Sequence, residues 1–248
     1  MFKAMLRYRL TAIWKTLLIA LAIGAIVTTA SELILSTQAF SMELLGASLA
    51  TTGLIVTQLC LIILSFTMTR PYFEFGILNG VSRKINYATH LVSLFGSQLV
   101  TFMIFYPTTA AVFQSYLKDN MNLFDPYLMF IMIIGAWILI ASGIEISSFI
   151  TLFERKIWWI VITLWVVLDM LFEHYVHPII NSILPTWTKL TALNFNKADL
   201  MTAAKMVVLS RYFWLTFFTS VIFPLLVAWI CQYYMQTKKI ALKWRRSA

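Results

Sequence analysis

Residues 47–69 read ASLATTGLIVTQLCLIILSFTMT, a run without a single charged side chain. A bilayer hydrocarbon core about 30 Å thick is crossed by about 20 helical residues. The run is therefore long enough to span a membrane, and it is too apolar for the surface of a soluble protein. Five further runs of similar make-up predict spans at about 13–36, 87–115, 127–152, 157–175 and 212–235. All six must be helices, because an open sheet would leave backbone amides and carbonyls unpaired in lipid.

The composition agrees with this polytopic all-α reading. Of 248 residues, 60% are hydrophobic and 12% charged, where globular chains are near half apolar and a quarter charged. Six spans leave only short connections, so no separate soluble domain fits, and any nucleotide-driven energy source is expected on another chain. Cys60 and Cys231 each lie alone inside an apolar run, which excludes a disulfide framework. The first run is too long for a removable signal peptide and stays as a helix. The excess of 19 Lys and Arg over 10 Asp and Glu reads as membrane orientation rather than nucleic-acid binding.

Orientation follows from where those bases fall. Lys3, Arg7, Arg9 and Lys15 precede or open the first span, and Arg70, Arg83 and Lys84 join the second to the third. Arg155 and Lys156 join the fourth to the fifth, and Lys238, Lys239, Lys243, Arg245 and Arg246 form a basic tail over 236–248. The opposite side keeps only Lys118, Lys189, Lys197, Lys205 and Arg211. Both termini are therefore expected in the cytoplasm, consistent with an even number of spans.

Three connections are more than links. Residues 1–12 place Phe2, Met5, Leu6 and Leu10 opposite Lys3, Arg7 and Thr11, which predicts an interfacial helix on the inner leaflet, with Arg9 as a misfit near the apolar face. Over 70–84 the order RPYFEFGILNGVSRK predicts a short helix: Pro71 suits its first turn, Glu74 its positive end, and Asn79-Gly80 its stop. Ser82 is placed to cap the next helix, with Arg83 and Lys84 at the headgroups. Phe73, Phe75, Ile77 and Leu78 on this element need something to pack on, either the chain's own bundle or a cytoplasmic partner. Residues 174–211 are too apolar for a free loop, and Pro178 and Pro185 divide them into short helical pieces expected on the extracellular side.

The stretch FEFGILNGVSRK between the second and third spans resembles the corresponding stretch of permease subunits of the ABC type-2 exporter family, especially small separate-chain permeases of Gram-positive bacteria that export peptide toxins or bacteriocins. The order of parts along the chain is similar too. The resemblance implies a homo- or heterodimer of permeases in the bacterial plasma membrane, docked on a separate ABC ATPase subunit that holds ATP and Mg. It further implies that Phe73, Glu74, Phe75, Asn79, Gly80, Arg83 and Lys84 belong to the ATPase-coupling helix. Glu154, Arg155 and Lys156 would make a second, smaller contact. Thr51 and Gln58 of the second span, with Trp165 and Asp169 of the fifth, would line a substrate pathway.

No catalytic constellation accompanies these features. His90, His174 and His177 lack the partners of a metal or nucleophile motif, and the eight glycines are scattered singly, without a phosphate-cradling loop. No nucleic-acid partner is implied. The polarity instead runs in stripes along helices: Thr51, Gln58 and Ser65; His90, Ser93, Ser97, Thr101 and Thr108; Ser142, Glu145 and Ser148. Such stripes should face protein or water. Glu145 lies well inside the membrane and needs a hydroxyl partner or a proton. Pro107 and Pro224 are expected to kink their spans. A route with aromatics, hydroxyls and acids but no mid-membrane base suits a hydrophobic or amphipathic peptide. The alternatives are a drug or lipid exporter, or an ATPase-independent immunity protein or secondary carrier.

Overall fold

A computed structural model describes residues 1–35, 42–116, 126–152 and 207–234, together with isolated positions 163, 167, 170 and 205. Every element among the described residues is helical: α1 (Phe2–Leu35), α2 (Met42–Thr67), α3 (Thr69–Leu78), α4 (Arg83–Tyr116), α5 (Pro126–Leu152), α6 (Arg211–Phe217) and α7 (Phe223–Tyr234). Five stretches are long and apolar enough to cross a membrane: Phe2–Ile34, Leu45–Thr67, Arg83–Ala111, Pro126–Ile150 and Phe213–Tyr234. They match five of the six expected spans. Nearly all of the expected fifth span and of 174–211, and the whole basic tail, lie outside the described residues, as do Glu154, Arg155, Lys156, Trp165 and Asp169.

The polarity is inverted relative to a soluble bundle. Thr57, Ser65, Thr89, Ser93, Ser97, Gln98 and Ser148 are all buried, while Ile19, Ile23 and Ile26 of α1, Ile55, Leu59 and Ile63 of α2, and Leu226 and Ile230 of α7 stand exposed. Lipid tails compete with aliphatic side chains for each other's company, so what remains to hold helices together is close packing and hydrogen bonding of small and polar groups. Centrally placed, α2 packs against α1, α4 and α5, and α7 packs against α5. Ile13, Leu17, Leu61, Leu64, Leu94, Ile140 and Ile144 fill the space between them.

Two expectations change in detail. The first twelve residues are not a separate interfacial element; they are the opening turns of one uninterrupted helix of 34 residues. At 1.5 Å per residue that helix is about 51 Å long, well beyond a bilayer core. Pro224 acts through a π segment at Phe218–Ile222, where the Phe223 amide bonds the Phe218 carbonyl five residues back. A proline offers no N–H and its ring crowds the preceding turn, and widening that turn relieves the clash. By contrast, α4 runs through Pro107 without interruption.

Candidate functional site

The Thr69–Leu78 helix exists because its two ends are specified. At the carboxyl end Gly80 has φ 69°, a left-handed conformation that favours glycine. There the Val81 amide reaches the Gly76 carbonyl at 2.9 Å and the Gly80 amide reaches the Ile77 carbonyl at 3.0 Å, a Schellman closure. The Asn79 side-chain amide donates to the Phe75 carbonyl at 2.8 Å. Arg70 and Glu74 pair at 2.9 Å across one turn, an exposed contact worth only tenths of a kcal/mol. Ser82 then accepts from the Ile85 amide at 3.4 Å as the first turn of α4 begins.

The helix has two faces. Thr69, Tyr72, Phe73 and Gly76 are buried, so Phe73 packs into its own bundle and is not available to a partner. This corrects the reading of Phe73 as part of an exposed knob: it lies two positions away from Phe75, about 200° around the helix, so the two rings fall on opposite faces. Phe75 and Leu78 are the exposed pair, at 40% and 49%. The Phe75 ring stacks on Tyr8 of α1, centroids 4.8 Å apart.

Beneath the buried face lies a residue that composition disguises. Arg9 is 1% exposed. Its guanidinium donates to the Asn86 side-chain oxygen and to the Tyr72 carbonyl at 3.3 Å, and it lies 4.9 Å over the Tyr72 ring. Asn86 in turn donates to the Phe73 carbonyl at 3.1 Å. That amide fits against α3 only because position 76 is glycine, where a β-carbon would come within 2.5 Å of the Asn86 side chain. Next along, Thr69 bonds the Ser65 carbonyl and meets His90 Nε2 at 2.9 Å, and the Tyr72 and His90 rings meet edge to face at 6.0 Å. Burial pushes the Tyr72 hydroxyl above its usual range, Tyr8 adds to the shift and Arg9 opposes it, so the ring stays neutral. One cation thus ties α1, α3 and α4 together, while its own Nε and Nη1 have no hydrogen-bond partner among the described residues.

A second polar cluster sits further along the same helices. Gln98 donates to Gln58 at 3.2 Å, Gln58 donates to Thr101 at 3.2 Å, and the Trp137 indole donates to Gln98 at 2.9 Å. Gln58, expected to line a pathway, is thereby engaged between α2, α4 and α5. Thr51 turns back on its own helix to the Ala47 carbonyl at 2.9 Å. Glu145 is half-buried with Cys231 as an electrostatic neighbour. Ser148, one turn on, accepts instead from Gln232 at 3.0 Å. Arg83 donates to the Tyr233 carbonyl and lies 5.7 Å over the Tyr233 ring, which anchors α4 to α7. Lys84 is exposed.

Neither Asn86 nor Gln98 belongs to the predicted stripes, although both are long amides inside an apolar helix, a signal strong enough to find them. Among the described residues no three His, Cys, Asp or Glu side chains gather as metal ligands. No protein-family model matches the chain, and no curated protein and no solved structure matches it.

Proposed function

We propose that the chain is the membrane permease subunit of an ATP-driven exporter of the ABC type-2 kind, working as a dimer with a separate cytoplasmic ATPase subunit that binds ATP and Mg. The observation that carries this reading is the division of labour on α3: exposed Phe75 and Leu78 on one face, and a buried face clamped through Arg9 and Asn86 to two long helices. An element that must transmit force needs both an outward contact and a stiff inward attachment. In this reading ATP-dependent movement of the ATPase pulls α3, and the Arg9 and Asn86 clamp carries the displacement into α1 and α4. The cargo we assign is a hydrophobic or amphipathic peptide, with a drug or lipid as the alternative under the same mechanism.

Co-purification and hydrolysis assays test it. Glu74→Arg and Phe75→Asp should each abolish recovery of the ATPase or its substrate-stimulated hydrolysis while membrane insertion stays intact. Unaltered stimulated hydrolysis in both variants, or failure to recover any ATPase with the wild-type chain in mild detergent, would overturn the assignment. Stimulation by lipids or small drugs with none by amphipathic helical peptides would change the cargo alone.

A further inference from the structure

The last span is two helices joined by a turn of a different kind. Between α6 (Arg211–Phe217) and α7 (Phe223–Tyr234) the chain widens into the π segment Phe218–Ile222. In an unbroken α-helix the amide at position 224 would serve the Ser220 carbonyl, and Pro224 has no amide hydrogen to give. Beside the joint the Thr219 hydroxyl donates to the carbonyls of Leu215 at 3.1 Å and Thr216 at 3.0 Å, so part of the local bonding rests on a side chain. A turn that lacks a rung of the ladder bends more readily than the regular turns on either side of it.

The two halves are held in different ways. On the α7 side the Tyr87 hydroxyl of α4 donates to the Leu225 carbonyl at 2.6 Å, Gln232 donates to Ser148 of α5 at 3.0 Å, and Arg83 donates to the Tyr233 carbonyl. Ala228 is fully buried in the core between these contacts, and the Tyr87 and Trp229 rings meet at 5.2 Å. Hydrogen bonds weaken steeply when bent out of line, so α7 is fixed in position. By contrast, α6 rests on α5 through rings: Phe213 and Trp214 lie 6.1 and 6.2 Å from Phe130, tilted at 46° and 52°. Those tilts fall between the offset-stacked and perpendicular arrangements that aromatic pairs prefer, so the rings can slide on one another. The joint sits where the fixed part ends, since Pro224 directly precedes Leu225, the first residue held from α4.

We propose that the π segment is a hinge: α7 stays seated on α4 and α5 while α6 swings against Phe130, opening and closing the contact between α5 and the last span at the end of the bundle away from α3. A change of about 20° at such a joint moves Leu209, nine residues before Phe218 and so about 13 Å away, by about 4–5 Å. Leu209 is carried along because the Ser210 carbonyl next to it accepts from the Phe213 amide at 3.1 Å. The hinge needs no ATPase, cargo or second copy of the chain in order to move, so it stands apart from the function proposed above.

Pulsed dipolar distances between spin labels on the full chain in lipid nanodiscs test this, with Cys60→Ala and Cys231→Ala removing the native thiols. Leu209→Cys with Met132→Cys reads the α6 side, and Ile230→Cys with Ile146→Cys reads the α7 side; all these positions are exposed. The first pair should give a distance distribution about 4 Å wider than the second, and Pro224→Ala, which restores the missing amide, should narrow it to the width of the second. Equal widths in the wild-type chain, or a first pair unchanged by Pro224→Ala, would overturn the hinge. Should Pro224→Ala fail to insert, Phe130→Ala takes its place: it removes the surface on which α6 rests and should shift the first distance alone. A shift in both pairs would mean that the span moves as one rigid rod, and no shift in either would mean that α6 is fixed without Phe130; each result would overturn the proposal.

Discussion

The Arg9 clamp allows an expectation in which stability and position move in opposite directions. Asn86→Leu removes an acceptor from a buried guanidinium whose Nε and Nη1 have no partner among the described residues, and it takes a donor from the Phe73 carbonyl. A hydrogen bond to a charged group contributes about 1.5–3 kcal/mol and a neutral one about 1 kcal/mol, so this variant should lose roughly 3 kcal/mol. Arg9→Met is different in kind: it removes the incompletely satisfied cation and keeps an unbranched apolar stem, and such replacements are neutral or stabilising. In the double variant no orphan cation remains, and Asn86→Leu should then lose only about 1 kcal/mol. The cycle therefore predicts about 2 kcal/mol of coupling, measured as unfolding free energies in an SDS titration. Meanwhile α3 loses a tie in each variant, to α4 through the Phe73 carbonyl in Asn86→Leu and to α1 through the Tyr72 carbonyl in Arg9→Met, so a cysteine at Leu78 should react faster with a maleimide even where stability is unchanged. Additivity within about 0.5 kcal/mol, or an Arg9→Met chain as unstable as Asn86→Leu, would refute this account of the clamp.

Further outcomes follow from neighbouring contacts. Gly76→Ala places a β-carbon 2.5 Å from the Asn86 side chain, so it should displace that amide and raise maleimide reactivity at Leu78→Cys as Asn86→Leu does; unchanged reactivity would show that Asn86 does not need the glycine. At Gly80, φ 69° makes a β-branched residue unfavourable by roughly 1–2 kcal/mol while Asn is tolerated, so Gly80→Val and Gly80→Asn should separate in the same SDS titration. Gln98→Leu strips partners from Gln58 and Trp137 and should lose about 1 kcal/mol, given the modest worth of hydrogen bonds between membrane helices; a loss confined to the noise would mean those amides re-pair. Pro224→Ala restores a backbone donor and should close the π turn, seen as a changed hydrogen-exchange rate at Phe223.

Much of the fold is legible in the sequence because the bilayer reduces the problem to one dimension. Run length and charge placement locate α1, α2, α4, α5 and the last span, and turn chemistry at Pro71, Asn79 and Gly80 delimits α3 within a residue or two. What one dimension cannot decide is which side of a short helix faces the bundle. Phe73 and Phe75 are chemically identical and two positions apart; the geometry of the α3 to α4 turn, through Gly80 and the Asn86 amide lying on Gly76, buries the first and exposes the second. The polar stripes show a related limit. His90, Ser93, Ser97 and Thr101 do face inward, but the longer amides Asn86, Gln98 and Gln58 are the ones that reach across from helix to helix in both polar clusters, whereas many hydroxyls next to a helix backbone bond it locally, as Thr101 does on the Ser97 carbonyl at 3.0 Å.

Arg9 illustrates why a charge count and a contact are different quantities. As one of four bases at the start of the chain it counts toward the orientation signal with Lys3, Arg7 and Lys15, and in the sequence only its place near the apolar face marks it as a misfit. Its row is what sets it apart: the residues four before and four after are Met5 and Ile13, both buried, so the helix presents it to protein rather than to headgroups. Burying a guanidinium without a carboxylate is unfavourable, and the structure offsets this with backbone carbonyl, amide and aromatic faces, none of which carries charge. Neutral partners of this kind hold the cation without neutralising it. The positive charge therefore remains at the junction of α1, α3 and α4, and it sits at the same end of α1 as the exposed Lys3 and Arg7. A carboxylate introduced at Met5, one turn away, should pair with Arg9 and bind α3 more tightly to α1, lowering the maleimide reactivity of Leu78→Cys; an increase instead would mean that the clamp depends on the cation's lacking an acidic partner.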